Sequence, residues 1–200
     1  VRYLDWVLPG IMAINIMHSS LFGVGHAIVR YRKNGVLKRL KATPVNAFEF
    51  LAAQVFSRLG MIMLAVILQF ISMNWLFDFL IQGSLSLLLG IALLGSMTLI
   101  SLGLLMASRT GSEELAGGLL NLISWPMILL SGVWFSLEGA PVILQKLALA
   151  FPLTHLLQAA RAVMLEGAVA NDILPSLVTL GGMTLLFLTI AAWRFKWVED

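Results

Sequence analysis

Apolar and polar positions alternate along this chain in long blocks, not at the two-residue period of a half-buried strand. Between Asp5 and Arg30 lie 24 residues without a single Asp, Glu, Lys or Arg. A helix rises about 1.5 Å per residue, so about 20 apolar residues cross a bilayer core. The block predicts a first span over about 6–29. Between Arg58 and Asp78 there are 19 uncharged residues, and with the helix start before them they predict a second span over about 51–73. The charge-free run from Phe79 to Ser108 predicts a third at 84–107, Leu115–Leu137 a fourth at 115–135, and the last apolar block a fifth at 173–194.

Between the first two spans the period changes. Gly35 breaks the first helix. Val36, Leu37 and Leu40 then share one side of a helix, with Lys38 and Lys41 on the other. Two turns are too few to be stable alone, so this helix needs an interface or a partner. Thr43-Pro44 ends it, because the residue before proline is pushed out of the α region. Asn46 then offers an N-cap, Glu49 the reciprocal partner three residues on, and Val45 and Phe50 the staple positions. The segment 136–172 is divided by Pro141 and Pro152. Leu153, Leu156, Leu157, Ala160, Val163 and Met164 recur at helical spacing, opposite Gln158 and Arg161. Its pattern predicts one or two amphipathic helices on, or dipping into, the outer leaflet. They either cap the spans or close an outer gate, with Pro152, Thr154 and Arg161 as gate candidates.

Composition agrees with an all-α polytopic membrane protein: 60% of the 200 residues are hydrophobic and 12% charged, and the mean hydropathy is +0.94. Soluble domains carry about 25% charged residues. Charge supplies the sidedness. With the first basic loop inside, Arg30, Arg32, Lys33, Lys38, Arg39, Lys41, Arg58, Arg109, Arg194 and Lys196 all fall inside, and only Arg2, Lys146 and Arg161 outside. Lys and Arg are retained on the cytoplasmic side, so Val1 is expected outside and Asp200 in the cytoplasm. Trp6, Trp75 and Trp134 fall near predicted outer ends, and Trp193 and Trp197 near the inner one, as interfacial belts do. A chain that begins outside with no signal peptide implies an earlier span, hence six in a longer protein. The basic residues sit in loops between spans, so the pI near 9.6 does not indicate a nucleic-acid partner.

Catalytic chemistry is not legible. The chain has no cysteine, which excludes disulfides and thiolate metal sites. His18, His26 and His155 have no metal-binding spacing, and neither a Walker lysine motif nor a Gly-x-Ser-x-Gly elbow occurs. No catalytic residue and no metal ligand is expected. The first span carries a polar stripe: Asn15, His18, Ser19 and His26 fall within about 100° of one another. The fourth has Glu114, Gly117, Asn121 and Ser124 on one face. Polar groups in a membrane face protein or water. Asn15, His18, Ser19, Asn121 and Ser124 are therefore candidates for lining a pathway or for helix packing.

Two stretches resemble a known family. GVLKRLKATPVNAFEFLAAQ (35–54) is similar to the cytoplasmic loop of the type-2 ABC exporter permeases, the ABC-2 membrane domain: a Gly, a Leu-containing amphipathic turn, Thr-Pro and the next span. SGVWFSLEGAPVILQKLALAFPLTHLLQAARAVM (131–164) looks like that family's outer end, with a Pro-marked helix, Pro-Leu-Thr and an Arg-bearing helix before the last span. Lys33-Asn34 stands where the family often has an acidic residue, and Ser136 where a proline is common.

The resemblance implies one ABC-2 type transmembrane domain over residues 1–200, in a bacterial inner membrane. It implies a permease half that pairs with a second half, as homo- or heterodimer, to form an export pathway among membrane lipids. It also implies a separate ATP-binding subunit that carries ATP and magnesium. The permease itself binds no cofactor and is no enzyme. The family's coupling helix falls on Val36, Leu37, Lys38, Arg39, Leu40 and Lys41, with Thr43 and Pro44 behind it. The competing readings are a gradient-driven secondary transporter or channel and a structural assembly subunit. Ion-coupled carriers often place carboxylates within spans, whereas here all ten flank the spans or lie in loops.

Overall fold

A computed structural model describes residues 3–77, 81–108, 110–134, 137 and 139–195. Every regular element among them is helical: α1 Tyr3–Lys33, α2 Val36–Leu40, α3 Ala47–Phe77, α4 Leu85–Ala107, α5 Glu113–Leu130, α6 Val142–Ala148, α7 Pro152–Glu166 and α8 Leu174–Arg194. The expected charges and aromatics at Arg2, Arg109, Lys196 and Trp197, the two termini and Ser136 lie outside the described residues.

The helix starts follow local chemistry. Asn46 and Glu49 form the reciprocal box at the head of α3: Glu49 N–H donates to Asn46 Oδ1 at 2.8 Å, and Asn46 N–H to Glu49 Oε2 at 3.0 Å. The box starts α3 at Ala47, several residues before the apolar run, so the helix is 31 residues long. Ser112 caps α5 by accepting from Leu115 N–H at 3.1 Å. Glu113 and Glu114 in that first turn complement the positive end of the helix dipole. Gly167, at φ 66°, closes α7 in the left-handed conformation that glycine adopts without penalty.

α4 is the axis of the bundle and packs against α1, α3, α7 and α8. Small residues permit this. A Cβ on Gly103 would lie 2.7 Å from the carbonyl oxygen of Leu21, and one on Gly95 would lie 2.5 Å from Leu156 Cδ1. The α4–α8 seam also carries a hydroxyl pair. Thr184 donates to Leu180 O at 2.8 Å in its own helix, and its oxygen lies 2.8 Å from Thr98 Oγ1.

By length and hydropathy α1, α3, α4 and α8 can each cross a membrane. α5, with 18 residues and two glutamates at its head, falls short of that test. Its packing nevertheless carries it across beside α1. Leu120 meets Gly25 near one end, and Val133, just past α5, meets Gly10 near the other. The fourth expected span therefore stands on its packing.

α6 and α7 meet at 91°, as one broken span or as a re-entrant pair. The neighbouring elements decide between these. α8 ends at the same face of the bundle as α1 and α4, where Phe195 packs on Phe50 with ring centroids 5.7 Å apart. A crossing α6–α7 would start α8 on that face, so the pair returns to the side it came from. It also goes deep into the bundle. Val163 abuts Gly83 at the end of the bundle, while Leu156 abuts Gly95, about 15 Å further in along α4. Of the two expected placements, on the leaflet or dipping into it, α7 takes the deeper one and packs as a buried wedge: Leu153, Leu157 and Val163 are fully enclosed and Leu156 is 2% exposed. The predicted polar side survives in Gln158, which is exposed.

Candidate functional site: the docking helix, the polar face and the Arg161 clamp

α2 hangs from the basic end of the bundle. Gly35, at φ 73°, turns the chain out of α1. Lys41 N–H returns to Leu37 O at 3.0 Å, and Thr43 Oγ1 donates to Leu40 O at 2.6 Å, which closes the helix before Pro44. The expectation for Leu37 needs correction. This side chain, placed with its neighbours in the coupling helix, is 0% exposed and belongs to the protein's own core. Leu37 pins the helix, and the surface available to a partner is built differently. Val36 is 37% exposed and Leu40 half-buried, with Lys38, Arg39, Lys41, Thr43 and Pro44 all exposed around them.

Beside α2 lies a knot that charge counting alone did not single out. Arg32 is buried and donates to the carbonyls of Ala107 at 3.2 Å, Ser108 at 2.9 Å and Thr110. These acceptors lie at the end of α4, where the dipole is negative and a cation is favoured. The guanidinium carbon also lies 5.9 Å from the centre of the Phe195 ring, which in turn packs on Phe50 of α3. One side chain thus joins the ends of α1, α4 and α8, four residues before α2. The signal was present in the sequence: Leu21, Val24 and Ile28 mark the buried face of α1, and Arg32 falls one turn further along it.

Of the polar stripe, Asn15, His18 and Ser19 are exposed and His26 is half-buried. His18, Phe22 and His26 stack along α1, with centroids 5.5 and 6.0 Å apart. Nδ1 of each histidine lies near the carbonyl one turn back, His18 to Ile14 O at 3.1 Å and His26 to Phe22 O at 3.0 Å. Nε2 of both is left facing outward from that bond. α5 continues this face: Asn121 is exposed, and a Cβ on Gly117 would lie 3.6 Å from His26 Nε2. Ser124 separates from the group. It is buried and sits 3.2 Å from Asn121 O in its own helix, so it is a packing residue.

At the opposite end, Arg161 of α7 donates to Gly132 O at 2.9 Å and Val133 O at 3.3 Å. Its guanidinium carbon is 3.8 Å from the centre of the Trp6 ring, within cation–π range. It therefore ties α7 to the end of α5 and the start of α1. Pro152 and Thr154 are buried at the inner tip of α7, and the Thr154 hydroxyl has no hydrogen-bond partner among the described residues. Arg161 is thus apart from the other two gate candidates, about two turns along the helix from Thr154 and about two and a half from Pro152.

Residues 2–165 match the family described as ABC-2 type transporter. The chain is 31% identical to the inner membrane transport permease YhhJ of Escherichia coli K12 over 192 residues, 94% of this chain and 51% of the relative. It is 29% identical to the linearmycin resistance permease protein LnrN of Bacillus subtilis 168 over 159 residues, 78% of this chain and 40% of that one. It is 26% identical to the probable multidrug ABC transporter permease YbhR of Escherichia coli K12 over 181 residues, covering 88% and 49%. The chain spans about half the length of these curated relatives. An integral membrane bundle of this helix order, carrying this loop and matched over most of its length, belongs to the ABC-2 type transporter family.

Proposed function

We propose that residues 1–200 are one ABC-2 type transmembrane unit of an ATP-driven exporter, coupled to a separate ATP-binding subunit through α2. The observation that carries this is the mounting of α2. An exposed basic helix is held by Leu37, a few residues from a buried arginine that grips the ends of three helices. A push on such a helix reaches the bundle without being lost in a flexible loop. In this reading ATP and magnesium belong to the partner, the basic end is cytoplasmic, and Val36 and Leu40 seat in a groove on the ATPase. Lys38, Arg39 and Lys41 steer that encounter.

The exposed face of Asn15, His18, Ser19 and Asn121 would be covered by a second permease half, identical or related, and would line the pathway between them. Polar groups left open on a lipid-facing helix are costly, which supports such a cover. Arg161, holding α7 to α5 and α1, would brace the outer end, with Pro152 and Thr154 at the buried inner tip of the gate. The test is the complete transporter, reconstituted with its ATP-binding subunit. Leu40→Asp should lower transport and its link to ATP turnover at least several-fold at normal membrane abundance. Unchanged transport in that variant would rule out coupling through α2.

A further inference from the structure

A second basic site lies in the groove between α1 and α3, away from the docking surface. Arg58 is the twelfth residue of α3, about 16 Å into a helix with no charge beyond it as far as Phe77. A charge at that depth is costly unless it meets water or a counter-charge. Among the described residues Arg58 meets no counter-charge. Its Nε is buried without a hydrogen-bond partner among the described residues. Its guanidinium points into an open cleft of about 440 Å³ lined by Phe22, Gly23, His26, Ala27, Arg30 and Arg58. Two guanidinium groups therefore share one cleft, and among the described residues no carboxylate lines it. α1 presents Gly23 and Ala27 there, and a Cβ on Gly23 would already lie 3.6 Å from Arg58 Nη1. The space is kept by small residues and roofed by cations.

From this geometry we infer that the α1–α3 cleft binds the phosphate headgroup of an anionic lipid, held between Arg58 and Arg30. Guanidinium groups suit phosphate because they offer paired donors in a fixed plane. A lipid is favoured over a free anion by what borders the cleft. Met61 and Leu68, 76% and 55% exposed, continue the Arg58 side of α3 away from the basic end and offer an apolar track for an acyl chain. The binding is independent of ATP coupling and of the docking helix.

The test uses the purified full chain in mixed micelles of equal phosphatidylglycerol and phosphatidylcholine, with retained lipid counted by native mass spectrometry. The wild type should keep one phosphatidylglycerol in clear preference. Arg58→Gln should reduce that preference by about fivefold to tenfold, while Arg58→Lys keeps only part of it and Lys38→Gln on the exposed loop leaves it unchanged. If Arg58→Gln does not fold, Arg30→Gln at the exposed rim is read in the same way. Equal retention of the two lipids by the wild type, or a preference that survives loss of either arginine, overturns the site. Displacement of the lipid by millimolar inorganic phosphate overturns the lipid assignment in favour of a soluble anion. Transport and ATP turnover do not enter this measurement, so its failure leaves the exporter reading standing.

Discussion

Arg32 shows how much can rest on one side chain near a membrane surface. Its three carbonyl acceptors sit together at and just past the end of α4, and a planar guanidinium reaches them together. Arg32→Ala should therefore destabilise the bundle by about 2–4 kcal/mol, read as a lowered unfolding temperature in detergent. Arg32→Lys should recover only part of this, because an ammonium cannot fork. Glycines give a second residue-scale contrast. Gly103→Ala sets a methyl against the Leu21 backbone, which cannot swing away as a side chain would, and should cost about 1–3 kcal/mol. Gly90→Ala, in the same helix with open space around it, should be neutral or slightly stabilising. The same unfolding measurement separates the two. The small residues of α4 were legible as packing residues. Which of them bears a neighbour was not, because that depends on the rotation of α4 against α1 and α7.

At the scale of the element, α2 divides into a part that holds and a part that is offered. Leu37→Ala should cost about 2–3 kcal/mol of fold stability, as loss of a fully enclosed leucine does. Leu40 is only half-buried against the core, so Leu40→Ala should cost clearly less, about 1 kcal/mol, and act mainly on ATP-coupled transport. Comparing both variants for stability and transport checks the division. The helix, its glycine entry, its Thr-Pro exit and the capping box behind it were all readable from local chemistry, since each depends on residues within a few positions. The fate of Leu37 was not. Val36, Leu37 and Leu40 share one apolar side, and only the approach of the bundle decides which of them it takes. α7 repeats the lesson. Its apolar spacing was plain, yet a helix against a leaflet and a helix inside a bundle ask for the same pattern. The glycines at 83 and 95 that admit it lie about 70 residues earlier in the chain.

For the whole molecule, long uncharged blocks announced the crossings, and charge asymmetry proposed their direction. α5 was the weakest block by composition, and its place is secured by contacts with α1 that no window average contains. The sidedness has a direct check on this cysteine-free background. A cysteine at Asn34 should resist an impermeant thiol reagent in intact cells, while one at Lys146 should react. Gly139 is the poorer choice of outer position, because its φ of 90° would strain any replacement. Labelling at Asn34 with protection at Lys146 would invert the arrangement.

The wedge formed by α7 bears on how the protein is made. It precedes α8 in the chain, yet α8 forms part of its walls together with α1 and α4. Until α8 follows, α7 lacks one of its walls, and Gln158 and Arg161 make lipid a costly resting place for it. The expected order is a closing step in which α7 sinks between helices already in place and α8 seals it. A nascent chain arrested before Leu174 should leave a cysteine at Leu156 open to reagent from outside, and the released chain should protect it. Substitutions that weaken the α4–α8 seam, such as Thr184→Leu, should prolong the exposed stage and mark the protein for quality-control proteases before it ever meets a partner.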